Sequence, residues 1–196
     1  MFGRHQAENV TLAIAAVEAF LGGERPLPEE VLEEGLRQLT VPGRLQLIGT
    51  EPVVYVDAAH NPHGAEVLAR AVTESFGFDE LAVVVGVLAD KDAGGVLEAL
   101  APIADALILT PVDSPRSLDL EQLVGVARAA GFETTGAGND GSGERDLEVA
   151  VSLPVALEAA RDWASQSPGR GVLVAGSVLL AGETIAHARA EGWGIA

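Results

Sequence analysis

The stretch that decides the fold is Val53–Gly64, which reads VVYVDAAHNPHG. Its first four residues, Val53–Val56, are β-branched or aromatic and predict a short buried strand. Asn61 followed by Pro62 then indicates the start of a helix, because asparagine is a favoured N-cap residue and proline is favoured at the first helical position. The stretch is therefore a strand–turn–helix unit with polar side chains in its turn.

The alternation of strands and helices continues beyond this unit. A helix from His63 to about Phe76 leads to the uncharged run Leu81–Val87, which predicts a fully buried strand. Further strands are predicted at Leu45–Ile48, Ala106–Thr110, Phe132–Thr135, Leu147–Val151 and Val172–Ala175, and further helices at 96–100, 119–130, 154–164 and 178–190. This pattern indicates a Rossmann-like α/β domain, with a mostly parallel sheet covered by helices on both faces. The polar segment Gly136–Arg145 predicts a surface loop.

Residues 1–41 do not follow this alternation. Apolar residues at helical spacing predict a helix over about residues 7–21. Pro28 opens a second helix, and its apolar stripe consists of Leu32, Leu36 and Leu39. We expect residues 1–41 to be a helical linker or the tail of a preceding domain, and residues 42–196 to form the α/β domain.

Charge and residue usage exclude several classes of function. The 196 residues include 29 acidic and 12 basic side chains, for a formal net charge of −17. Such a field repels phosphate backbones, so we expect no nucleic-acid partner. The chain has no cysteine, and no apolar run reaches the ~18 residues of a membrane span. The N-terminus also lacks the apolar core of a signal peptide, so we expect a cytoplasmic protein with no membrane partner.

Polar side chains follow the predicted strands at the points where the strands end. Asp57 and His60 come after the first strand of the deciding stretch, Lys91 follows the next strand, and Ser177 follows the last one. Ligands of open parallel sheets bind beyond the carboxyl ends of the strands. The sequence therefore predicts a ligand site at this edge, where Lys91, the only lysine, can neutralise an anionic group.

These candidates have structural alternatives. Asp57 and Asn61 can cap the turn, and Ser177 can be a simple helix N-cap. Lys91 can form a weak ion pair in a solvated loop, because acidic residues flank it. Arg116 can bind an anion or lie in an ordinary surface loop.

Metal and phosphate-loop chemistry are disfavoured. A metal site of Asp57, His60 and His63 is a poor match, because the two histidines lie on either side of a proline and no further ligand is evident. We therefore predict no metal site. The Gly-x-x-x-x-Gly-Lys-[Ser/Thr] motif is absent from the sequence. Gly136–Gly141 matches Gly-x-Gly-x-x-Gly but is not followed by an apolar helix, so we do not interpret it as a dinucleotide site.

Five segments taken together resemble one known family. In chain order they are Gly3–Asn9 (GRHQAEN), Pro42–Arg44 (PGR), Asp57–Pro62 (DAAHNP), Gly86–Asp92 (GVLADKD) and Ala175–Leu179 (AGSVL). They resemble motifs of the folylpolyglutamate synthases and dihydrofolate synthases of the Mur ligase superfamily. The DAAHNP segment after PGR is the most specific of them. The chain departs from the family pattern at Ala58, where glycine is common, and in its longer Gly136–Arg145 loop.

The resemblance implies an ATP- and Mg²⁺-dependent ligase. Such enzymes join L-glutamate to dihydropteroate, or to the γ-carboxyl of a folate, through an acyl phosphate. In this family the phosphate loop, the Mg²⁺ ligands and a carbamylated lysine lie in an N-terminal ATPase domain. The chain resembles the C-terminal domain, with residues 1–41 as the last helices of the ATPase domain. It is therefore expected to be inactive alone.

The resemblance also implies roles for individual residues. Asn9, Arg44 and Asp57 resemble ATP contacts, with Arg44 at a phosphate and Asp57 at the ribose. His60 and Ser177 resemble glutamate-side residues. Lys91 would hold the acyl phosphate or a glutamate carboxylate.

Two other interpretations remain open at the level of sequence. One is a non-catalytic module that binds a nucleotide or an amino acid, and the other is the C-terminal domain of a different Mur-type amide ligase. The His60–Pro62 segment favours the folate branch. The sequence does not distinguish a dihydrofolate synthase from a folylpolyglutamate synthase or from an enzyme with both activities.

Overall fold

A computed structural model describes residues 4–23, 26–133 and 145–193. Almost all of the predicted loop Gly136–Arg145 lies outside these residues. The helices are α1 (Arg4–Phe20), α2 (Glu29–Gln38), α3 (Pro62–Ser75), α4 (Ala93–Leu100), α5 (Leu120–Ala129), α6 (Leu153–Ser165) and α7 (Val178–Ala190). The strands are β1 (Gln46–Thr50), β2 (Val53–Val56), β3 (Glu80–Val85), β4 (Ala106–Leu109), β5 (Phe132–Glu133), β6 (Arg145–Val149) and β7 (Arg170–Ala175). A short 3₁₀-helix, Ala101–Ile103, follows α4.

Within the described residues the strands form one sheet in the order β1-β2-β7-β3-β4-β6-β5. All neighbouring pairs are parallel except β1 and β2, which form an antiparallel hairpin. The last strand, β7, lies between β2 and β3, although α3 connects these two strands directly in the sequence. Helix α3, which follows β2, packs on one face of the sheet, and α7, which follows β7, packs on the other. Open α/β sheets bind ligands at such switch points.

Helices cover both faces of the sheet, which confirms the predicted fold class. One core contains Leu68 of α3, Leu97 of α4 and Leu123 of α5. The core on the other face contains Leu157 of α6 and Leu180 of α7. From Leu81 to Val85, strand β3 is an unbroken apolar run because each of its faces packs against a helical layer.

Several element boundaries differ by a few residues from those predicted, and two of them have a clear consequence. Helix α4 begins at Ala93, three residues before the predicted start, because the carboxylate of Asp92 caps it by accepting a hydrogen bond from Gly95 N at 2.9 Å. Strand β6 ends at Val149, and Val151, which was predicted to lie in it, is 80% exposed.

Helices α1 and α2 lie outside both cores. Neither core includes a described residue before Leu45. In α1, Phe20 is 90% exposed, and α2 has no buried residue, so the predicted stripe of Leu32, Leu36 and Leu39 does not pack inside this domain. Among the described residues, no helix is both long and apolar enough to span a membrane.

Candidate active site

The segment after β2 is fixed by the carboxylate of Asp57, which is only 7% exposed. One carboxylate oxygen accepts a hydrogen bond from Leu45 N at 2.7 Å, and the other accepts from Ala59 N at 2.8 Å. The backbone N–H of Asp57 donates to the carbonyl of Val174 in β7 at 2.9 Å. Asp57 thus connects Leu45, the residue before β1, and the turn after β2 to strand β7 by hydrogen bonds.

The loop that carries Arg44 is held in an unusual conformation. Leu45 has a φ of 44°, in the left-handed region that a branched side chain rarely adopts, and Gly43 has a φ of 68°. The hydrogen bond to Asp57 and a 2.7 Å bond from Ala58 N to the carbonyl of Gly43 hold this loop. Strained backbone of this kind is concentrated at binding sites, and here it fixes the position of the exposed Arg44.

A first cleft of about 300 Å³ opens beside this loop, and we name it the Asp57 cleft. It is lined by Glu8, Asn9, Arg44, Leu45, Asp57, Ala59, His63, Gly64, Val67 and Leu68. The three residues that resemble ATP contacts, Asn9, Arg44 and Asp57, therefore lie around one cleft. Asn61 caps α3 by accepting a hydrogen bond from Gly64 N at 2.8 Å, as predicted.

A second cleft of about 300 Å³, which we name the Ser177 cleft, lies at the ends of β2, β3 and β7. It is lined by His60, Leu88, Lys91, Arg116, Gly176, Ser177, Val178 and Leu179. The three residues that resemble glutamate-side or catalytic residues, His60, Lys91 and Ser177, all line it. None of them lines the Asp57 cleft.

Ser177 is the N-cap of α7, and its hydroxyl accepts a hydrogen bond from Leu179 N at 3.1 Å. The side chain is buried, at 1% exposure, yet it lies on the wall of the cleft. Gly176 precedes it with a φ of 111°, and a Cβ added there would lie 2.7 Å from the carbonyl oxygen of Gly86. Gly176 N also donates to the carbonyl of Ala59 at 2.9 Å, so the turns after β2, β3 and β7 are in direct contact.

His60 has a defined ring orientation. Its Nδ1 lies 3.0 Å from the carbonyl oxygen of Ala58, and because a carbonyl can only accept, Nδ1 carries the proton of this bond. The Nε2 of the neutral ring is therefore an acceptor. His60 and His63 line different clefts, and the described parts of the chain contain no group of three or more His, Asp or Glu side chains arranged to hold a metal ion.

Lys91 and Arg116 meet at one carboxylate. Asp90 Oδ2 lies 3.5 Å from Lys91 Nζ, and Asp90 Oδ1 lies 3.9 Å from Arg116 Nη2. Asp92 instead caps α4 through Gly95 N. The two cations that line the Ser177 cleft are thus both ion-paired with Asp90, which does not itself line the cleft.

A third cleft, of about 600 Å³, was not found by sequence reasoning. Its walls include Val112, Leu153 and Glu183. Burial raises the pKa of the Glu183 carboxyl, the neighbouring charge of Asp113 raises it further, and a hydrogen bond to the backbone of Asp113 lowers it. Glu183 lies inside the apolar pattern of α7, and nothing in the sequence indicates that it is packed beside Asp113.

The switch-point sheet with two adjoining polar clefts defines an α/β domain of the ligand-binding class. Within that class, the chain belongs to the Mur ligase, glutamate ligase domain family, whose profile matches residues 43–178. The matched region contains Arg44, Asp57, His60, Lys91 and Ser177, but not Asn9.

The chain is similar to enzymes of folate metabolism. It is 42% identical over 188 residues to the dihydrofolate synthase/folylpolyglutamate synthase of Mycobacterium tuberculosis, an alignment that covers 93% of this chain and 38% of that enzyme. The crystal structure of the folylpolyglutamate synthase of M. tuberculosis complexed with ADP and AMPPCP superposes with a TM-score of 0.84 at 36% identity, covering 96% of this chain and 41% of that one. This confirms the resemblance found in the sequence and identifies the chain as the counterpart of the glutamate ligase domain.

A third match carries further ligands. A bifunctional folylpolyglutamate synthase/dihydrofolate synthase with manganese, AMPPNP and L-glutamate bound superposes with a TM-score of 0.70 at 26% identity, covering 89% of this chain and 38% of that one. The chain thus spans about two fifths of the length of these relatives.

Proposed function

We propose that this chain is the glutamate-accepting part of an ATP-dependent ligase that adds L-glutamate to a folate or to dihydropteroate. The main support for the proposal is the distribution of six predicted site residues between two clefts. Asn9, Arg44 and Asp57 line one cleft, and His60, Lys91 and Ser177 line the other. None of the six residues lines both clefts. A ligase needs such a division, because the nucleotide and the amino acid must approach one carboxylate from different sides.

In this proposal the Asp57 cleft holds part of ATP. Arg44 would contact a phosphate, where a guanidinium can form charge-assisted hydrogen bonds. The carboxylate of Asp57 would accept from a ribose hydroxyl in addition to its bonds with Leu45 N and Ala59 N, since each carboxylate oxygen has two lone pairs. Asn9, in α1, lines the same cleft and would contribute a further polar contact to the nucleotide.

The Ser177 cleft holds L-glutamate in this proposal. Nε2 of His60 would accept a hydrogen bond from the incoming amine, and the hydroxyl of Ser177 and the ammonium of Lys91 would hold carboxylate oxygens. The γ-phosphoryl group of ATP first activates the folate or pteroate carboxyl as an acyl phosphate. The amine of glutamate then attacks this carbonyl, and inorganic phosphate leaves. Positioning and charge neutralisation supply most of the catalysis of phosphoryl transfer.

Another domain must supply the remaining parts. The described residues contain no cluster suited to Mg²⁺, and the sequence has no Gly-Lys-Ser/Thr phosphate loop. We propose that an N-terminal ATPase domain of the same protein provides the Mg²⁺ ligands and the phosphate loop. The exposed apolar side chains of α1 and α2, among them Phe20 and Val31, would pack against it.

The test compares ADP release by this chain with ADP release by the full-length protein that joins it to the proposed ATPase domain. We expect the full-length protein to release ADP only when Mg²⁺, L-glutamate and a pteroate or folate are all present. We expect the chain alone to release none. Testing dihydropteroate and tetrahydrofolate separately distinguishes the two synthase activities. Ligation by the chain alone, or ADP release that does not need glutamate, would contradict the proposal.

A further inference from the structure

We propose that Arg116 is a specificity-determining residue of the Ser177 cleft, where it binds one of the two carboxylates of the incoming amino acid while Lys91 binds the other. This inference rests on the proposed function and goes beyond it, because it explains how a dicarboxylic amino acid would be selected. Arg116 lines the Ser177 cleft together with His60, Lys91 and Ser177.

The backbone around Arg116 is fixed against the wall of the cleft. Ala89 N donates to the carbonyl of Arg116 at 2.8 Å, and Leu118 N donates to the carbonyl of Val87 at 2.9 Å. An isolated β-bridge between Leu88 and Ser117 lies between these two bonds. Three consecutive residues on each of the two segments therefore pair with each other, so the backbone of Arg116 is fixed against the segment that leads to Lys91.

The two cations are held near each other but are not satisfied by Asp90. The distances of 3.5 Å to Lys91 and 3.9 Å to Arg116 exceed the 2.7–3.2 Å of a direct hydrogen bond. Asp90 therefore reduces the repulsion between the cations while leaving their donors able to bind a ligand. A planar guanidinium binds a carboxylate through two parallel hydrogen bonds, a geometry that Asp90 does not make here.

The charges match a dicarboxylic amino acid. Lys91, Arg116 and Asp90 sum to one positive charge, in a chain whose formal net charge is −17. An amino acid with an ammonium and two carboxylates carries one negative charge. Arg116 lines the Ser177 cleft and not the Asp57 cleft, so the observations favour a carboxylate over a nucleotide phosphate as its partner.

The test is a steady-state assay of the full-length protein with three amino acids: L-glutamate, L-glutamine and the α-amide of L-glutamate. Each amide replaces one carboxylate by a neutral group of the same shape. For Arg116→Ala we expect the KM for glutamate to rise about tenfold, the lower range for a charge-assisted hydrogen bond, because the Arg116 side chain is 62% exposed. We also expect the discrimination between glutamate and one of the two amides to fall by a similar factor, which identifies the carboxylate that Arg116 binds.

Three controls make the outcome decisive. Arg116→Lys keeps the charge and should recover part of the discrimination, whereas Arg189→Ala, an exposed arginine in the last turn of α7, should change no constant. Unchanged discrimination against both amides would overturn the inference. A rise in the KM for ATP without a rise for glutamate would overturn it in favour of a phosphate contact. If the wild-type protein shows no glutamate-dependent ADP release, the proposed function fails first, and the Arg116 inference fails with it.

Discussion

Asp57 and His60 are three residues apart in the turn after β2, yet their side chains line different clefts. Two hydrogen bonds at this turn orient the two side chains in different directions. The carboxylate of Asp57 is held towards the β1 entrance by Leu45 N, and the ring of His60 is turned back onto the carbonyl of Ala58. A single turn therefore forms the wall between the two clefts, and it contributes one functional group to each.

Substitution of Asp57 tests how much its hydrogen bonds contribute to the stability of the fold. Asp57→Ala leaves the buried N–H groups of Leu45 and Ala59 without their acceptor, and an unsatisfied buried donor costs about 1–3 kcal/mol. We expect the free energy of unfolding to fall by about 2–4 kcal/mol, measured by urea denaturation. Asp57→Asn keeps one acceptor oxygen and should lose less. Equal stability of Asp57→Ala and the wild type would show that these bonds contribute nothing.

The glycine before Ser177 offers a second test of the contact between the strand ends. Gly176→Ala places a Cβ 2.7 Å from the carbonyl oxygen of Gly86, on a backbone with a φ of 111°. We expect a loss of about 2 kcal/mol in stability, since strain of this kind costs about 1–3 kcal/mol. Gly182→Ala, inside α7 with nothing within 4 Å, is the matched control and should gain about 0.5–1 kcal/mol. Thermal denaturation of both variants measures these changes in stability. A stabilised Gly176→Ala would refute the close contact.

Glu183 predicts a pH dependence of stability. Burial and the charge of Asp113 raise the pKa of its carboxyl above the ordinary value of 4.5, so the folded state binds this proton more tightly than the unfolded state does. Its favourable contribution is present below pH 4.5 and is lost as the pH rises through the folded-state pKa. We therefore expect Glu183→Gln to be more stable relative to the wild type at pH 7 than at pH 4. Urea titrations at both values measure this difference, and a constant difference would contradict the assignment.

The sequence was sufficient to predict those strands and helix ends that are determined by neighbouring residues in the chain. The run Leu81–Val87 predicted β3, because a strand buried on both faces is apolar throughout. Asn61 and Ser177 were recognised as helix caps, because a cap is a property of one residue and its immediate neighbours. The start of α4 was missed because Asp92 was considered only as a partner of Lys91, and its capping role depends on Gly95 N.

Long-range contacts were beyond sequence reasoning. No local pattern indicates that Asp57 accepts a hydrogen bond from Leu45, twelve residues away, or that Leu45 adopts a left-handed conformation. The stripe of leucines on α2 correctly predicted a helix but not its partner, because periodicity does not specify what an apolar face packs against. The pairing of Asp90 with both Lys91 and Arg116 also depends on a loop 26 residues along the chain from Asp90.

The most direct test of whether the two clefts bind different substrates is a pair of KM values, for ATP and for L-glutamate. Both are measured in the full-length protein and in two variants. Arg44→Ala and His60→Ala each remove a side chain from one cleft, and neither side chain holds the buried framework that Asp57 does. We predict that Arg44→Ala raises the KM for ATP about tenfold or more, as expected for a lost charge-assisted hydrogen bond, and leaves that for glutamate within about twofold. His60→Ala should show the opposite pattern, with melting temperatures close to that of the wild type. If each variant raises both KM values equally, the two clefts do not divide the substrates and the central claim is wrong.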